Sequence, residues 1–131
     1  MKKIIFLNFF LFIFFLSSIS VDAKKIPNLV GNWEGENIKS TLKKGFVKSK
    51  NIVEITEQRD RLFKGHVTHK GGKEPFVGVI RSDRKNFFWS DSSDDDGKVI
   101  GTILKKNKIE TCYLDSGKDA IAGCSILIRN K

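Results

Sequence analysis

At Trp33-Glu34-Gly35, Phe63-Lys64-Gly65, Phe76-Val77-Gly78 and Val99-Ile100-Gly101 a large apolar side chain is followed, two positions later, by glycine. Alternate residues of a strand share a face, so each pair sets a bulky side chain beside bare backbone. Glycine inside a strand is unfavourable unless the backbone must bend or something must approach closely. Four such sites in a β-rich chain predict a sheet bent until it closes.

The first 23 residues read as a targeting segment. Lys2 and Lys3 form a basic start, Ile4 to Leu16 is apolar apart from Asn8, and Val21-Asp22-Ala23 places small residues at the −3 and −1 positions. This is the pattern of a secretory signal peptide cleaved after Ala23, too short and wrongly flanked for a good membrane span. Residues 24–131 remain as a single β-barrel domain, long enough for one core and too short for two. Removing residues 1–23 takes away Lys2, Lys3 and Asp22, which lowers the net charge from +9 to +8. For a periplasmic or secreted chain, that charge points to an anionic envelope surface, acidic lipid or an acidic partner rather than nucleic acid, with plain solubility as the competing account. Cys112 and Cys124 are the two cysteines, and in an exported chain one disulfide is the default.

From Asn28 onward short β segments alternate with turn signals, and no helical period is present. Eight segments are expected: Leu29–Ile38, Lys50–Glu57, Leu62–His69, Pro75–Arg81, Asn86–Ser90, Val99–Leu104, Lys108–Leu114 and Gly123–Arg129. Eight strands is the number at which a closed barrel is just filled by side chains or holds one small ligand. The fold expected is therefore all-β, an eight-stranded antiparallel up-and-down barrel. Connections two, four and six read as tight, at residues 58–61, 82–85 and 105–107. Connections one, three, five and seven read as longer, at 39–45, 70–74, 91–98 and 115–122. In a meander, alternate connections lie at opposite ends, so the chain predicts one end pinched and basic, and another fringed by long loops where binding residues sit.

Inward residues Phe63, Phe76 and Trp89, with Asp91, His69 and Tyr113 toward the rim, are the candidate ligand contacts, and packing of the aromatics as simple core filling is the competing account. Asp91-Ser92-Ser93-Asp94-Asp95-Asp96-Gly97 invites a calcium reading, but a helical-hand loop needs glycine at position six and glutamate at twelve. Those positions hold Asp96 and Thr102. His66 and His69 lie on opposite faces of a strand and do not share a metal. No nucleophile, base and acid fall into a recognisable set, so neither metal, cofactor nor catalysis is expected. A Cys112–Cys124 bridge puts Glu110, Ile126 and Ile128 on its own face, in conflict with those isoleucines in the core, and the facing of the last two strands stays open. Val77, Val79, Phe88, Ile100 and Leu104 then point outward as an apolar stripe, which predicts a homodimer.

Gly31-Asn32-Trp33 at the opening of the first strand resembles the Gly-x-Trp signature of the calycin superfamily, most closely its short, avidin-like barrels. That resemblance implies that Trp33 closes the narrow end and that a basic residue of the last strand, here Arg129, lies over it. It does not extend to biotin: Gly35 stands where avidins carry asparagine, and Ile38-Lys39-Ser40 replaces their Leu-Gly-Ser turn. The reading is of an exported, non-catalytic protein that holds a small or extended ligand at the long-loop end. The alternative is a secreted protein-interaction module of the enzyme-inhibitor kind.

Overall fold

Among the described residues every element is a strand. The computed structural model describes residues 25–69, 71–92 and 97–131, and its elements are β1 (Gly31–Thr41), β2 (Gly45–Arg59), β3 (Leu62–His69), β4 (Gly72–Ile80), β5 (Asn86–Asp91), β6 (Lys98–Lys105), β7 (Lys108–Asp115) and β8 (Ile121–Arg129). Each strand pairs antiparallel with the next, and β1 pairs with β8 from Trp33↔Arg129 to Thr41↔Ile121, closing the barrel. The segment read as a signal peptide, residues 1–23, lies outside the described residues, as do Asp94, Asp95 and Asp96.

All four apolar-x-Gly sites face the interior, where a side chain has no room. A Cβ at Gly35 would strike the carbonyl of Ile126, and one at Gly65 the carbonyl of Glu54. Gly78 lies against the ring of Phe63, and Gly101 against the ring of Phe87. Ile121-Ala122-Gly123 repeats the pattern on β8, with Gly123 against Lys39 and Asn37. These are the bends by which a twisted sheet turns the corners of a small barrel.

One half of the barrel is filled. Trp33, Phe87, Ile80 and Leu127 are fully buried, and Phe63, Phe76 and Trp89 nearly so. Phe76 stacks on Trp89 at 4.7 Å, Phe87 on Trp89 at 5.7 Å, and Phe63 meets Phe87 edge-on at 5.8 Å. The chain ahead of β1 seals this end. Leu29 is buried, its amide donating to Gln58 Oε1 (2.8 Å) and its carbonyl accepting from Trp33 Nε1 (2.9 Å). A bulge between Ile55 and Glu57 shifts the alternation of β2 by one, so that Gln58 pairs with inward Phe63 and reaches Leu29 and the carbonyl of Pro27. Arg129 lies over the Trp33 ring, its guanidinium carbon 4.3 Å from the centroid, and donates to the Asn28 carbonyl at 2.5 Å.

The rhythm of the connections differs from the sequence reading. The expected 39–45 loop is mostly strand: Lys39, Ser40 and Thr41 pair with Val47, Phe46 and Gly45, leaving 42–44 as the turn. The expected 70–74 loop shrinks to two residues, because His69 pairs with Gly72. Apolar alternation had ended in both places, but a ladder needs only backbone partners to continue. Conversely the fourth connection, expected to be tight, spans 81–85 and is organised by Asp83, whose carboxylate accepts from the amides of Lys85 and Asn86 and from Asn86 Nδ2. Residues 92–97 and 116–120 are the longer connections at the open end. That end is thus fringed by two longer loops and two tight hairpins, not by four long loops.

The last two strands keep one register without a bulge, from Lys108↔Ile128 to Asp115↔Ile121. Cys112 and Cys124 are bridged on the outside, opposite one another, in line with Glu110, Ile126 and Ile128. Leu127, Ser125 and Arg129 take the inside, so Ile126 and Ile128 are wall residues, half exposed. An unbroken registered row of apolar groups crosses the outer wall through Leu62, Val79, Phe88, Ile100, the Cys112–Cys124 bridge and Ile38. Val77 and Leu104 flank it and are exposed. The outer face of β1 to β4 also carries exposed ion pairs, Lys50–Glu34, Lys48–Glu36, Lys64–Glu57 and Lys73–Glu54.

Candidate functional site at the open end

The inward face changes character part-way along the barrel. On β1 it runs Trp33, Gly35, Asn37, Lys39 and Thr41, from the aromatic floor to the open end. On β2 the same climb runs Ile55, Val53, Asn51, Ser49 and Val47, and on β8 it runs Leu127, Ser125, Gly123 and Ile121. Gly35 pairs with Asn51, and Asn37 pairs with both Ser49 and Ser125. Asn51 Nδ2 therefore spans β1 to donate to Ser125 Oγ at 3.0 Å, over the space that the missing side chain of Gly35 leaves free. Ser125 and Thr111 are buried and paired across β7 and β8. Buried hydroxyls and amides are tolerated when hydrogen-bonded, and here they form a polar layer directly on the apolar floor.

The opposite wall continues that layer. Val99, next to Trp89 in the register, pairs with Tyr113, which pairs with Gly123 and so lies one strand from Lys39. Asp91 pairs with Phe76 and follows Trp89 on the same face of β5. His69 and Glu74 complete the rim between β3 and β4. His69 Nε2 lies 2.8 Å from Glu74 Oε1, and His69 Nδ1 accepts from the Gly71 amide at 3.0 Å. Lys39 faces inward at the lip and has no acidic partner among the described ion pairs.

The six ligand contacts expected from the sequence fall into two tiers. Phe63, Phe76 and Trp89 belong to the packed floor, between 3% and 4% exposed, with Phe76 in ring contact with both of the others. Asp91, Tyr113 and His69 stand above them, partly exposed or open to solvent, with Tyr113 packed against the floor. Sequence reasoning missed Asn37, Asn51, Thr111 and Ser125. Reading the alternation upward from Trp33 and from Val53 finds the two asparagines, whereas Thr111 and Ser125 lie on the two strands whose facing the sequence leaves open.

Two polar atoms in this region are buried and unpartnered among the described residues: Trp89 Nε1 and Asp115 Oδ1. A buried donor or acceptor left without a partner costs about 1–3 kcal/mol, and such groups are rare enough in native proteins to need a reason. Trp89 Nε1–H is a donor on the inward residue of β5 between Phe87 and Asp91. Asp115 Oδ1 is an acceptor, in register with Ile121 near the lip. Open spaces include a groove of about 560 Å³ beside Glu34, Lys48 and Asn130, and one of about 460 Å³ that reaches Lys64, His66 and Ser90 as well as Phe76 and Asp91.

Carboxylates with resolved shifts all lie away from the mouth. Lys50 holds Glu34 below the usual carboxylate range, and Lys64 does the same for Glu57. The amides of Asn86 and Lys85 bring Asp83 down to about 2. Burial against Trp33 pushes the Arg129 guanidinium down.

No protein-family model matches the chain, and no curated protein does. Among solved structures it is similar to a redesigned beta barrel, with 14% identity over 79% of this chain and 92% of that one and a TM-score of 0.49. It is also similar to a de novo designed fluorescence-activating beta barrel, with 15% identity over 83% of this chain and 97% of that one and a TM-score of 0.47. The strand register itself establishes the architecture. By that register the chain is a closed eight-stranded antiparallel barrel with an aromatic floor and a polar layer above it.

Proposed function

We propose that this is an exported, non-catalytic binding protein that takes a small ligand into the open end of its barrel, seating it on Trp89 and enclosing it with the polar layer above. The observation that carries the reading is the Trp89 indole N–H, buried and without an acceptor among the described residues, on the inward residue between Phe87 and Asp91. A ligand with a hydrogen-bond acceptor on one side and a flat or apolar part against the floor satisfies that donor. Asn51, Ser125, Thr111 and Tyr113 supply the few placed polar groups by which small-molecule sites fix orientation. Both ring nitrogens of His69 are already engaged, by Gly71 and Glu74, which favours binding over proton transfer. The disulfide fits an oxidising compartment, and Arg129 over Trp33 fits an avidin-like barrel.

Native mass spectrometry of protein isolated from its producing cell tests the proposal directly, by asking for a co-purifying small molecule. With that molecule in hand, Trp89→Phe removes the donor while keeping most of the packing. We expect its affinity to fall about fivefold to a hundredfold, in line with about 1–3 kcal/mol for one unmet polar group. Trp33→Phe, at the sealed end, should leave affinity unchanged. A protein that carries no molecule, and whose Trp89 indole proton resonance stays fixed across a small-molecule screen, overturns the reading.

A further inference from the structure

The hairpin joining β1 and β2 ends in a turn that is held from several sides yet shows its apolar residues to water. Thr41 Oγ1 accepts from the Lys44 amide at 2.9 Å, and Gly45 takes φ +66°, the left-handed residue that closes a three-residue hairpin turn. The neighbouring 116–120 connection braces it. The Leu42 amide donates to the Ala120 carbonyl at 3.2 Å and the Lys43 amide to Asp119 Oδ1 at 3.0 Å. So fixed, Leu42 is 72% exposed and Phe46 91% exposed. Ile38 extends the apolar surface down the outer face, one pair below Phe46, whose own partner is Ser40. Four lysines surround the tip, at 39, 43, 44 and 48. Lys43 meets Asp119 at 3.7 Å and Lys48 meets Glu36 at 3.0 Å, both exposed pairs, while Lys39 and Lys44 meet no acid among the described ion pairs.

We propose that this tip docks the barrel, mouth first, onto an anionic lipid bilayer, with Phe46 and Leu42 entering the headgroup boundary and the lysines at its surface. Shape favours a bilayer over a protein. A standard protein interface needs about 800 Å² from each partner, whereas the tip is a convex wedge of two large side chains. A fluid interface accepts such a wedge, and its strength comes from apolar insertion plus attraction of Lys to acidic lipids. The charge is of the right sign, since the whole chain carries +9. The inference is independent of whether the lumen holds a ligand.

Co-sedimentation with vesicles tests it, using the protein in the form its producing cell releases, with the N-terminus established by intact mass. Vesicles of phosphatidylcholine are compared with vesicles in which about a third of the lipid is phosphatidylglycerol. We expect binding to the anionic vesicles that weakens at high salt. The doubly substituted Leu42→Ser, Phe46→Ser protein should bind about tenfold less. Lys43→Gln with Lys44→Gln should lose the preference for anionic over neutral lipid. All four positions are exposed, and an unchanged denaturation midpoint checks that these variants fold. Retention of full vesicle binding by the serine variant overturns the proposal. So does an absence of vesicle binding alongside stoichiometric capture of one protein through the same tip.

Discussion

At the scale of single residues, the barrel depends on positions where a side chain is forbidden and on one carboxylate that organises a turn. Gly65 faces inward with its α-carbon against the Glu54 carbonyl. Gly65→Ala forces backbone on two strands to move, and should cost about 1–3 kcal/mol of stability, seen as a lower urea midpoint with an unchanged slope. Asp83 accepts three hydrogen bonds from Lys85 and Asn86, and its folded pKa falls from 3.8 to about 2. A carboxyl depressed in the folded state adds stability above its unfolded pKa and loses that contribution as pH falls through the folded value. The Lys85 and Asn86 amide resonances should therefore titrate together with a midpoint near 2. A midpoint at the ordinary aspartate value contradicts that account. The glycines were legible in the sequence because a repeated spacing marks them. Asp83 was not, since the tight turn expected there gave no reason to look for an organising side chain.

At the scale of elements, backbone pairing and side-chain pattern separate. Apolar alternation stops at Ile38, yet the β1–β2 ladder runs on to Thr41↔Gly45. This is why the first and third connections read as loops and proved to be mostly strand. The β7–β8 hairpin shows the reverse: pattern alone left two phases open, and the outward disulfide selects the one with Leu127 and Arg129 inside. Closing twelve residues of sequence separation is worth about 3 kcal/mol in the chain-entropy model. Replacing both cysteines by alanine should lower unfolding free energy by up to about that amount while leaving the strand signature in circular dichroism intact. Loss of the fold instead of a shifted midpoint would show the bridge to be required for closure. The bulge at Ile55/Glu57 was invisible beforehand, because nothing in Ile55-Thr56-Glu57 announces it, and its purpose appears only when Gln58 reaches Leu29 and Pro27.

At the scale of the whole molecule, closure gives the barrel two unlike ends. The sealed end joins residues far apart in sequence: Leu29 and Trp33 from the start, Gln58 from the bulged strand, Arg129 from the last. Arg129→Ala removes the cation over Trp33 and the bond to the Asn28 carbonyl. It should cost about 1–3 kcal/mol, with amide exchange accelerated at Leu29 more than in the β7–β8 hairpin. An equal acceleration everywhere would mean that the seal is not a local structure. At the open end, the polar layer and the basic tip of the first hairpin share one pole of the barrel, so any partner held by that tip lies close to the mouth.

The sequence by itself determined the class of fold, the number of strands and the inward placement of Phe63, Phe76 and Trp89. All of these follow from period-two alternation and from glycines where a closed sheet must bend. Only the tertiary structure decided which polar residues share the mouth, which Asn51–Ser125 contact bridges it, and which indole N–H is left without an acceptor. The physical reason is register. Alternation tells each residue which face it takes, whereas the neighbours it meets across the barrel depend on how every strand slides against the next before the first and the last are joined.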